Sequence, residues 1–452
     1  MYLLYSLLLT LGFLILLPKF VVHALRTRKY VTGLSQRLGK LPIAIPSNQP
    51  VIWIHCVSVG ETEAARPLVK ALLDRFPSHR LVISTTTVTG QKVARIAFRD
   101  QATAIFYFPI DWAWTVRRVL RTLHPSAVLI METELWPHLM RECREREIPV
   151  AVVNGRISEK SFRRYQLVHS FMRRVLDDLT MALMQSERDA ERIREMGLAA
   201  DRILITGNVK FDSAEAITDE ALVLSLRERF ALSSDAPLIV AGSTHAEEET
   251  VVIEAFRQLR RLHPRARLLI APRHPERFAE VAALLKKSGL HWARRSGEQA
   301  SDDVQCEAIL LDSVGELRAV YSLAKVAFVG GSIVPHGGHN LLEPAALGVA
   351  VVTGPHTENF TAITKALVEQ NAVVQLPDAP SSETTTALTS VVSELLADEP
   401  RRVEMGRRAM LVCDQNRGAT GRTLQVLESL LTDQTTRDEA IPFPALHTTT
   451  AK

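Results

Sequence analysis

Short apolar runs alternate with longer stretches of helical period, and they do so in two separate series. The first series holds Val51–His55, Leu81–Ser84, Ala104–Phe108, Ala127–Met131 and Val150–Val153, with shorter runs at Met181–Met184 and Ile203–Ile205. The second begins after Asp212 and holds Leu238–Val240, Leu268–Ile270, Ile309–Leu311, Ala327–Val329 and Ala350–Val352, and helical patterns then fill 381–431. Runs this short and this apolar read as buried strands. Strand, helix, strand order implies a parallel sheet with helices on both faces. Two doubly wound α/β domains in tandem are therefore predicted. Ligands of such sheets sit beyond the carboxyl ends of the strands, so facing domains would share one interdomain cleft. After the first strand a helix is expected from Glu61, with Ala64, Leu68, Leu72 and Phe76 on one face and Pro67 kinking it or delaying its start.

At 452 residues and 46% hydrophobic, the chain has core material for two domains of about 200 residues each. Its four cysteines, Cys56, Cys143, Cys306 and Cys413, match no disulfide framework or zinc spacing and are read as packing residues. Residues Tyr2–Leu17 are almost wholly apolar, and the segment runs on past Pro18 and Lys19 into Phe20-Val21-Val22. A bilayer span needs about 20 residues, so this is either a marginal span or an interfacial anchor. A cleaved signal peptide fits less well, since no positive residue precedes the apolar run and no small-residue cleavage site follows it. Lys19, Arg26, Arg28, Lys29, Arg37 and Lys40 all precede the first acid, Glu61. Such a cluster stays on the cytoplasmic side and is drawn to anionic head groups. The net charge of +4 is too small to suggest nucleic acid. The expected organisation is an anchor over 1–23, a basic juxtamembrane segment and linker over 24–50, domains over 51–212 and 213–432, and a disordered tail over 433–452.

The unusual polar clusters fall directly after strands: His55 to Glu61, Ser84 to Thr87, Glu132-Thr133-Glu134, Gly242 to His245, Pro272 to Pro275, and the loop Gly330 to Asn340. So many on one edge make a site. The glycines of that last loop, Gly330, Gly331, Gly337 and Gly338, let a backbone approach a ligand, and amides opening the next helix are expected to point at a phosphate. Glu343 is placed to accept from ribose hydroxyls. His336 and His339 suggest a metal pair, but the intervening glycines argue against the rigid helix that fixes such ligands. Glu61 is either an acid complementing a helix dipole or a base at the strand edge. Of Glu132 and Glu134, one is expected to face the cleft. Arg273 suits a phosphate bidentately, and Lys210 lies where the chain passes between domains, with charge to offer a departing anion. Arg156, Lys160, Arg163 and Arg164 form either a solvated helix face or a receiver for anionic lipid.

Taken together, His55 to Glu61, Leu129 to Pro137, Gly207 to Asp212, Ser243 to Glu249, Pro272 to Phe278, the glycine loop and Gly354 to Phe360 resemble the 3-deoxy-D-manno-octulosonic acid (Kdo) transferases, from the amino terminus to about residue 430. The resemblance implies a GT-B glycosyltransferase, two Rossmann-like domains facing across a cleft, with an N-terminal membrane-anchoring helix. It implies transfer of Kdo from CMP-Kdo to a lipid A precursor, lipid IVA, with inversion, at the cytoplasmic side of the inner membrane. The first domain would bind the acceptor and the second CMP-Kdo. Glu61 matches the general base, and Glu132 and Lys210 match residues that stabilise the transition state. CMP contacts carry over to Pro272, Arg273, Val314, Gly315, Glu316, Asn340, Leu341, Leu342 and Glu343. Cys56 and Val314 are small variations on the family pattern. No cofactor or metal is expected, in keeping with the lack of any Asp-x-Asp motif.

Competing readings are another GT-B enzyme, such as a different sugar-nucleotide transferase or a non-hydrolysing epimerase, and a membrane-tethered nucleotide-binding regulator. The epimerase has no use for an anchor, and the regulator leaves Glu61, Glu132 and Lys210 unemployed. A dinucleotide oxidoreductase is disfavoured, because no Gly-x-Gly-x-x-Gly follows the first strand.

Overall fold

A computed structural model of the chain describes residues 1–27, 33–41, 49–132, 134–213, 219–233 and 236–432; for 19–27 and 213 it describes the backbone alone. Residues 28–32 (with Arg28 and Lys29) and 42–48 of the expected juxtamembrane segment and linker, Thr133 and the tail 433–452 lie outside the described residues, as do the side chains of Lys19 and Arg26.

The chain forms two compact units, residues 1–213 with 417–452, and residues 214–416. The first is built on β1 (Val51–Cys56), β2 (Arg80–Thr85), β3 (Ala104–Tyr107), β4 (Pro125–Met131), β5 (Val150–Gly155), β6 (Met181–Met184) and β7 (Ile203–Ile205), in the order β3-β2-β1-β4-β5-β6-β7. The second is built on β8 (Leu238–Thr244), β9 (Arg267–Pro272), β10 (Trp292–Arg294), β11 (Ala308–Leu310), β12 (Val326–Val329), β13 (Ala350–Thr353) and β14 (Val373–Gln375), in the order β10-β11-β9-β8-β12-β13-β14. The pairings are parallel throughout both sheets. Two strands go beyond the sequence reading, β10 and β14. Each is a three-residue strand at a sheet edge, too short to show a period.

Because successive strand residues face opposite ways, each strand feeds two cores. Val51, Trp53, Val128, Val150 and Val152 enter one layer of the first unit, and Ile52, Ile54, Leu129, Ala151 and Val153 enter the other. A sheet covered on both faces has no room for alternating polar residues, which is why its strands read as continuous apolar runs.

Seven helices position or flank the functional residues: α1 (Tyr2–Thr27), α2 (Val59–Ala64), α3 (Pro137–Arg144), α4 (His169–Asp177), α5 (Glu248–Leu262), α6 (Leu342–Ala346) and α7 (Ala419–Thr432). The helix expected from Glu61 breaks at Ala65, and Pro67 takes its place near the start of the following helix, Arg66–Arg75. There its missing N–H costs nothing. Among the described residues no helix is long and apolar enough to cross a membrane.

One boundary moves. Helix α7, assigned from sequence to the second domain, packs on the first: Ala419, Leu427 and Leu431 join the core layer of Ile52, Leu68 and Leu72. Asp212 accepts from the N–H of Gly418 at 2.7 Å and of Thr420, and Arg422 Nε donates to the Thr206 carbonyl at 2.9 Å. Helical period says which face is buried but not which sheet buries it.

In the second unit the glycine loop after β12 is held from within. Glu248, fully buried at the start of α5, accepts from four backbone N–H groups. Its Oε2 takes His245 at 2.9 Å and Gly331 at 2.7 Å, and its Oε1 takes Ser332 and Ile333 at 2.8 Å each. Gly330 passes so close to Thr244 and Ser243 that a Cβ there would stand 2.7 Å from the Ser243 carbonyl oxygen. In a Glu248→Gln variant the amide NH2 would face N–H donors and leave them unsatisfied, at about 1–3 kcal/mol each. Denaturant unfolding should therefore show a loss of about 3 kcal/mol or more; a loss under about 1 kcal/mol would mean that the carboxylate does not anchor the loop.

Candidate active site

In the first unit β1 and β4 lie side by side, with His55 opposite Ile130, and this is where the strand order reverses. Such a reversal leaves a crevice at the carboxyl edge of the sheet. Glu61 lies in α2 just beyond β1, Glu132 directly follows β4, and Lys210 sits in a 3-10 turn, Val209–Ser213, after β7. The three residues predicted to carry chemistry are thus brought to one edge.

Ser58 caps α2 by accepting from the Glu61 N–H. The Glu61 carboxylate folds back: Oε2 accepts from the Val57 N–H at 2.6 Å and Oε1 from Ser58 Oγ at 2.9 Å. This variant of a capping box fixes the carboxylate before any ligand arrives. Burial pushes Glu61 up to about 7, the charge of Glu132 adds to the rise, and the Val57 and Ser58 hydrogen bonds offset only part of it. An acid that merely complemented the helix dipole would have its charged form favoured. Glu61 is shifted the other way.

Glu132 meets Lys210, Oε1 to Nζ at 3.2 Å, with both side chains largely buried. Glu134 is half-buried and also raised, by burial first and then by Glu132. Both acids of the Glu132–Glu134 pair therefore belong to one electrostatic cluster with Glu61, and Glu132 is the one that engages the lysine. Glu132 and Asn154, each directly beyond the apolar part of its strand, have φ of 55° and 54°. Left-handed backbone at a residue other than glycine costs of order 1–3 kcal/mol and persists only where surroundings enforce it. Here the Glu132 N–H donates to the Val153 carbonyl at 3.0 Å, and Asn154 Oδ1 accepts from the Val209 N–H at 3.1 Å. Asn154 thereby ties the Lys210 turn to β5. His55, in the same first motif, is no base: burial lowers it to about 3, its Nδ1 meets Ser84 Oγ at 2.9 Å, and its ring packs 4.1 Å from that of Phe108.

In the second unit the order reverses between β8 and β12. The amides of Gly331, Ser332 and Ile333, in the first part of the loop, are occupied by Glu248. A carboxylate of the chain is the anion there. Farther along, Asn340 Oδ1 accepts from the Leu342 N–H at 3.2 Å and its Nδ2 donates to Glu343 Oε1 at 3.2 Å. This pre-shapes the start of α6, and the side chains of Leu341 and Leu342 are core. Pro272 ends β9, and the exposed Arg273 follows it, its N–H bound to the Thr244 carbonyl at 2.9 Å. Val314, Gly315 and Glu316 follow β11 on the same edge. Val314 is exposed, and Glu316 receives both Arg295 nitrogens, at 2.8 and 3.0 Å.

Sequence reasoning weighed His336 and His339 as a metal pair but missed that His245 and His274 join them. His245 after β8, His274 after β9, and His336 and His339 after β12 converge, with His245 Nε2 2.8 Å from His339 Nε2. Its ring centroid lies 4.3 Å from that of His336 and 5.2 Å from that of His274. The signal was present, histidines following each of three strands, but adjacency of β9, β8 and β12 is a property of the sheet order.

Comparison with known proteins identifies the chain's relatives. The sequence profile described as 3-deoxy-D-manno-octulosonic-acid transferase (kdotransferase) matches residues 32–213. A 3-deoxy-D-manno-octulosonic acid transferase of Haemophilus influenzae is 35% identical over 410 residues, 90% of this chain and 93% of that protein. One from Bordetella pertussis is 36% identical over 399 residues, 86% and 88% of the two chains. Among solved structures, a glycosyltransferase from Rickettsia africae superimposes with a TM-score of 0.55 at 13% identity, covering 85% of this chain and 100% of that one. The UDP-GlcNAc 2-epimerase from Neisseria meningitidis, bound to UDP-GlcNAc, gives 0.54 at 12%, again over 85% and 100%. These two structures share the fold, two parallel-sheet α/β units. The transferases match far more closely in sequence and along nearly the whole length, so the chain belongs to the 3-deoxy-D-manno-octulosonic acid transferase family.

Proposed function

We propose that this Kdo transferase is an inverting GT-B enzyme that moves Kdo from CMP-Kdo to a lipid A precursor, lipid IVA, in lipopolysaccharide biosynthesis, with Glu61 as general base. The observation that carries this reading is a carboxylate fixed by two hydrogen bonds, buried, and raised to about 7 beside the Glu132–Lys210 pair. A base works best with a pKa near the operating pH. Glu61 takes the proton of an acceptor hydroxyl, and the hydroxyl oxygen attacks the anomeric carbon from the face opposite CMP. The bond to the phosphate oxygen breaks with its electron pair going to that oxygen. Glu132 and Lys210 stabilise charge as the transition state forms. Pro272, Arg273, Val314–Glu316 and Asn340–Glu343 hold CMP, with Arg273 meeting the phosphate. The single phosphate of CMP needs neither cofactor nor metal clamp.

The same reading places the chain on the cytoplasmic face of the inner membrane, held by α1 lying in the surface. One side of that helix docks on the first unit: Tyr5 Oη donates to Asp111 at 3.0 Å, Ser6 Oγ lies 2.7 Å from His138 Nε2, Tyr2 bonds Asp178, and Phe13 packs edge-on against Trp112. The other side exposes Leu3, Leu4, Leu7, Leu8, Leu11, Leu14 and Ile15. That division is the pattern of a helix in the membrane plane. The free, buried cysteines fit a reducing compartment.

Three outcomes test these assignments. Transfer to lipid IVA, read by mass, should have a log kcat/KM that rises by about one per pH unit below pH 7 and levels above it; a flat profile from pH 5.5 to 8 would exclude Glu61 as the base. Glu61→Gln should lose turnover by at least about a hundredfold while still binding CMP, and it should also melt at a higher temperature. Ionising an acid whose folded pKa is raised from 4.5 to about 7 opposes folding, with the cost growing from pH 4.5 and complete above 7, about 3 kcal/mol by linkage. A neutral glutamine keeps an oxygen for the Val57 N–H and avoids that cost. Third, Leu7→Glu with Leu14→Glu should cut sedimentation with anionic vesicles by tenfold or more, since each buried leucine contributes roughly 1.5–3 kcal/mol; unchanged sedimentation would remove α1 as the anchor.

A further inference from the structure

The four histidines that converge at this edge of the second unit sit where the nearby acids are already engaged. Of the acids at the start of α5, Glu248 is committed to four backbone N–H groups and Glu249 holds Arg277 through both oxygens, at 3.0 and 3.1 Å from Nε. On the loop packed against Gly337 and Gly338, His356 faces Glu358 at 3.5 Å, and the amide of Asn359 is bound to the Gly337 carbonyl at 2.9 Å. Arg273 pairs with no carboxylate among the described residues, and His274, His336 and Arg273 are exposed. The edge therefore presents four imidazoles and a guanidinium, all able to donate, with no carboxylate among the described residues paired to them.

The cluster is not arranged as a metal site. Two nitrogens on one tetrahedral zinc, each ~2.0–2.1 Å from it, stand about 3.3 Å apart. His245 Nε2 and His339 Nε2 are 2.8 Å apart, with rings nearly coplanar in orientation at 5°. That contact is a hydrogen bond in which one ring donates and the other accepts. Neither ring can gain a second N–H at that contact without breaking it.

We propose that His245, His274, His336 and His339, with Arg273, form a proton-linked subsite for the anionic part of the donor, at which a phosphate or sugar carboxylate and a proton bind together. The inference rests on the donor reading above and adds its regulation by protons. Burial lowers His245 to about 4 and His339 to about 3, and His336, His274, Arg273 and Arg277 lower His245 further, as Arg273 and the other rings do His339. Both are neutral at neutral pH. An arriving anion supplies the opposite charge these groups lack, favouring the imidazolium, so ligand and proton bind together. Neutral rings before binding keep the site from holding any passing anion with full positive charge. The proton then neutralises part of the negative charge that leaves with CMP.

Calorimetric titration of the full chain with CMP at pH 6.5, in two buffers of different ionisation enthalpy, counts the protons exchanged. Uncharged cytidine is the control, and Kdo titrated into CMP-saturated enzyme separates a carboxylate effect from a phosphate effect. Uptake of about half a proton or more per ligand is expected in one of the two arms, with affinity falling as pH rises by up to about tenfold per unit. His339→Asn should reduce that uptake by half or more. His336→Asn, on an exposed loop where folding is not at stake, should reduce it too, while any uptake by CMP's own phosphate stays equal in all proteins. Binding with the same proton count in wild type and both variants overturns the subsite and leaves the donor reading standing. No binding of CMP by the wild type overturns both.

Discussion

Parallel pairing is the constraint on which the rest of this structure depends. When every strand of a sheet runs the same way, all strand-to-helix loops emerge on one edge. Seven strands in each unit therefore deliver their polar loops to a single line of the surface, with helices covering both faces. Where the order turns back, at β1 and β4 and again at β8 and β12, two loops far apart in sequence become neighbours. Glu61 and Glu132 are neighbours in this way, and so are Glu248 and the glycine loop. Chemistry concentrates there because the backbone leaves no other place for it.

How much of this could be read from the chain alone depended on range. Buried parallel strands announce themselves as apolar runs, so the main strands and the doubly wound class were legible, and the polar residues after them marked the correct edge. Glu61, Glu132 and Lys210 were named because each stands just past an apolar run in a motif of small or polar residues. What failed was allegiance over distance. Helix α7 shows an amphipathic period that suits either sheet, and only Asp212 and Arg422 decide between them. The edge strands β10 and β14 are three residues long and carry no period. What the first amides of the glycine loop hold was not legible, because backbone amides that cradle a phosphate and backbone amides that cradle the chain's own carboxylate need the same glycines. Glu248 lies 83 residues before Gly331, and nothing local distinguishes it from its neighbours Glu247 and Glu249.

Glu248 also shows how a site built on loops is kept rigid. The end of β8 and the turn after it contain Ser243 and Glu247 at φ of 56° and 72°, conformations that a free loop would relax. Four charge-assisted hydrogen bonds, each stronger than its neutral counterpart, bind the end of β8 to the loop after β12. The bidentate Glu249–Arg277 pair does the same for the segment after β9. The exposed Arg273, His274 and His336 are thereby carried on loops that Glu248 and Glu249 hold from within.

Lys210 sits within an acidic cluster in the first unit. A base must be a carboxylate with a raised pKa, yet two neighbouring carboxylates and burial together would keep all of them protonated. Lys210 pairs with Glu132, and Glu132 is the second cause of the rise at Glu61. In the proposed reaction this makes Glu132 a tuning group as well as a stabilising one. It also explains the strained backbone at that position: left-handed φ at Glu132, locked by the Val153 carbonyl and by Asn154 on the Lys210 turn, places its carboxylate on the lysine and beside Glu61 at once.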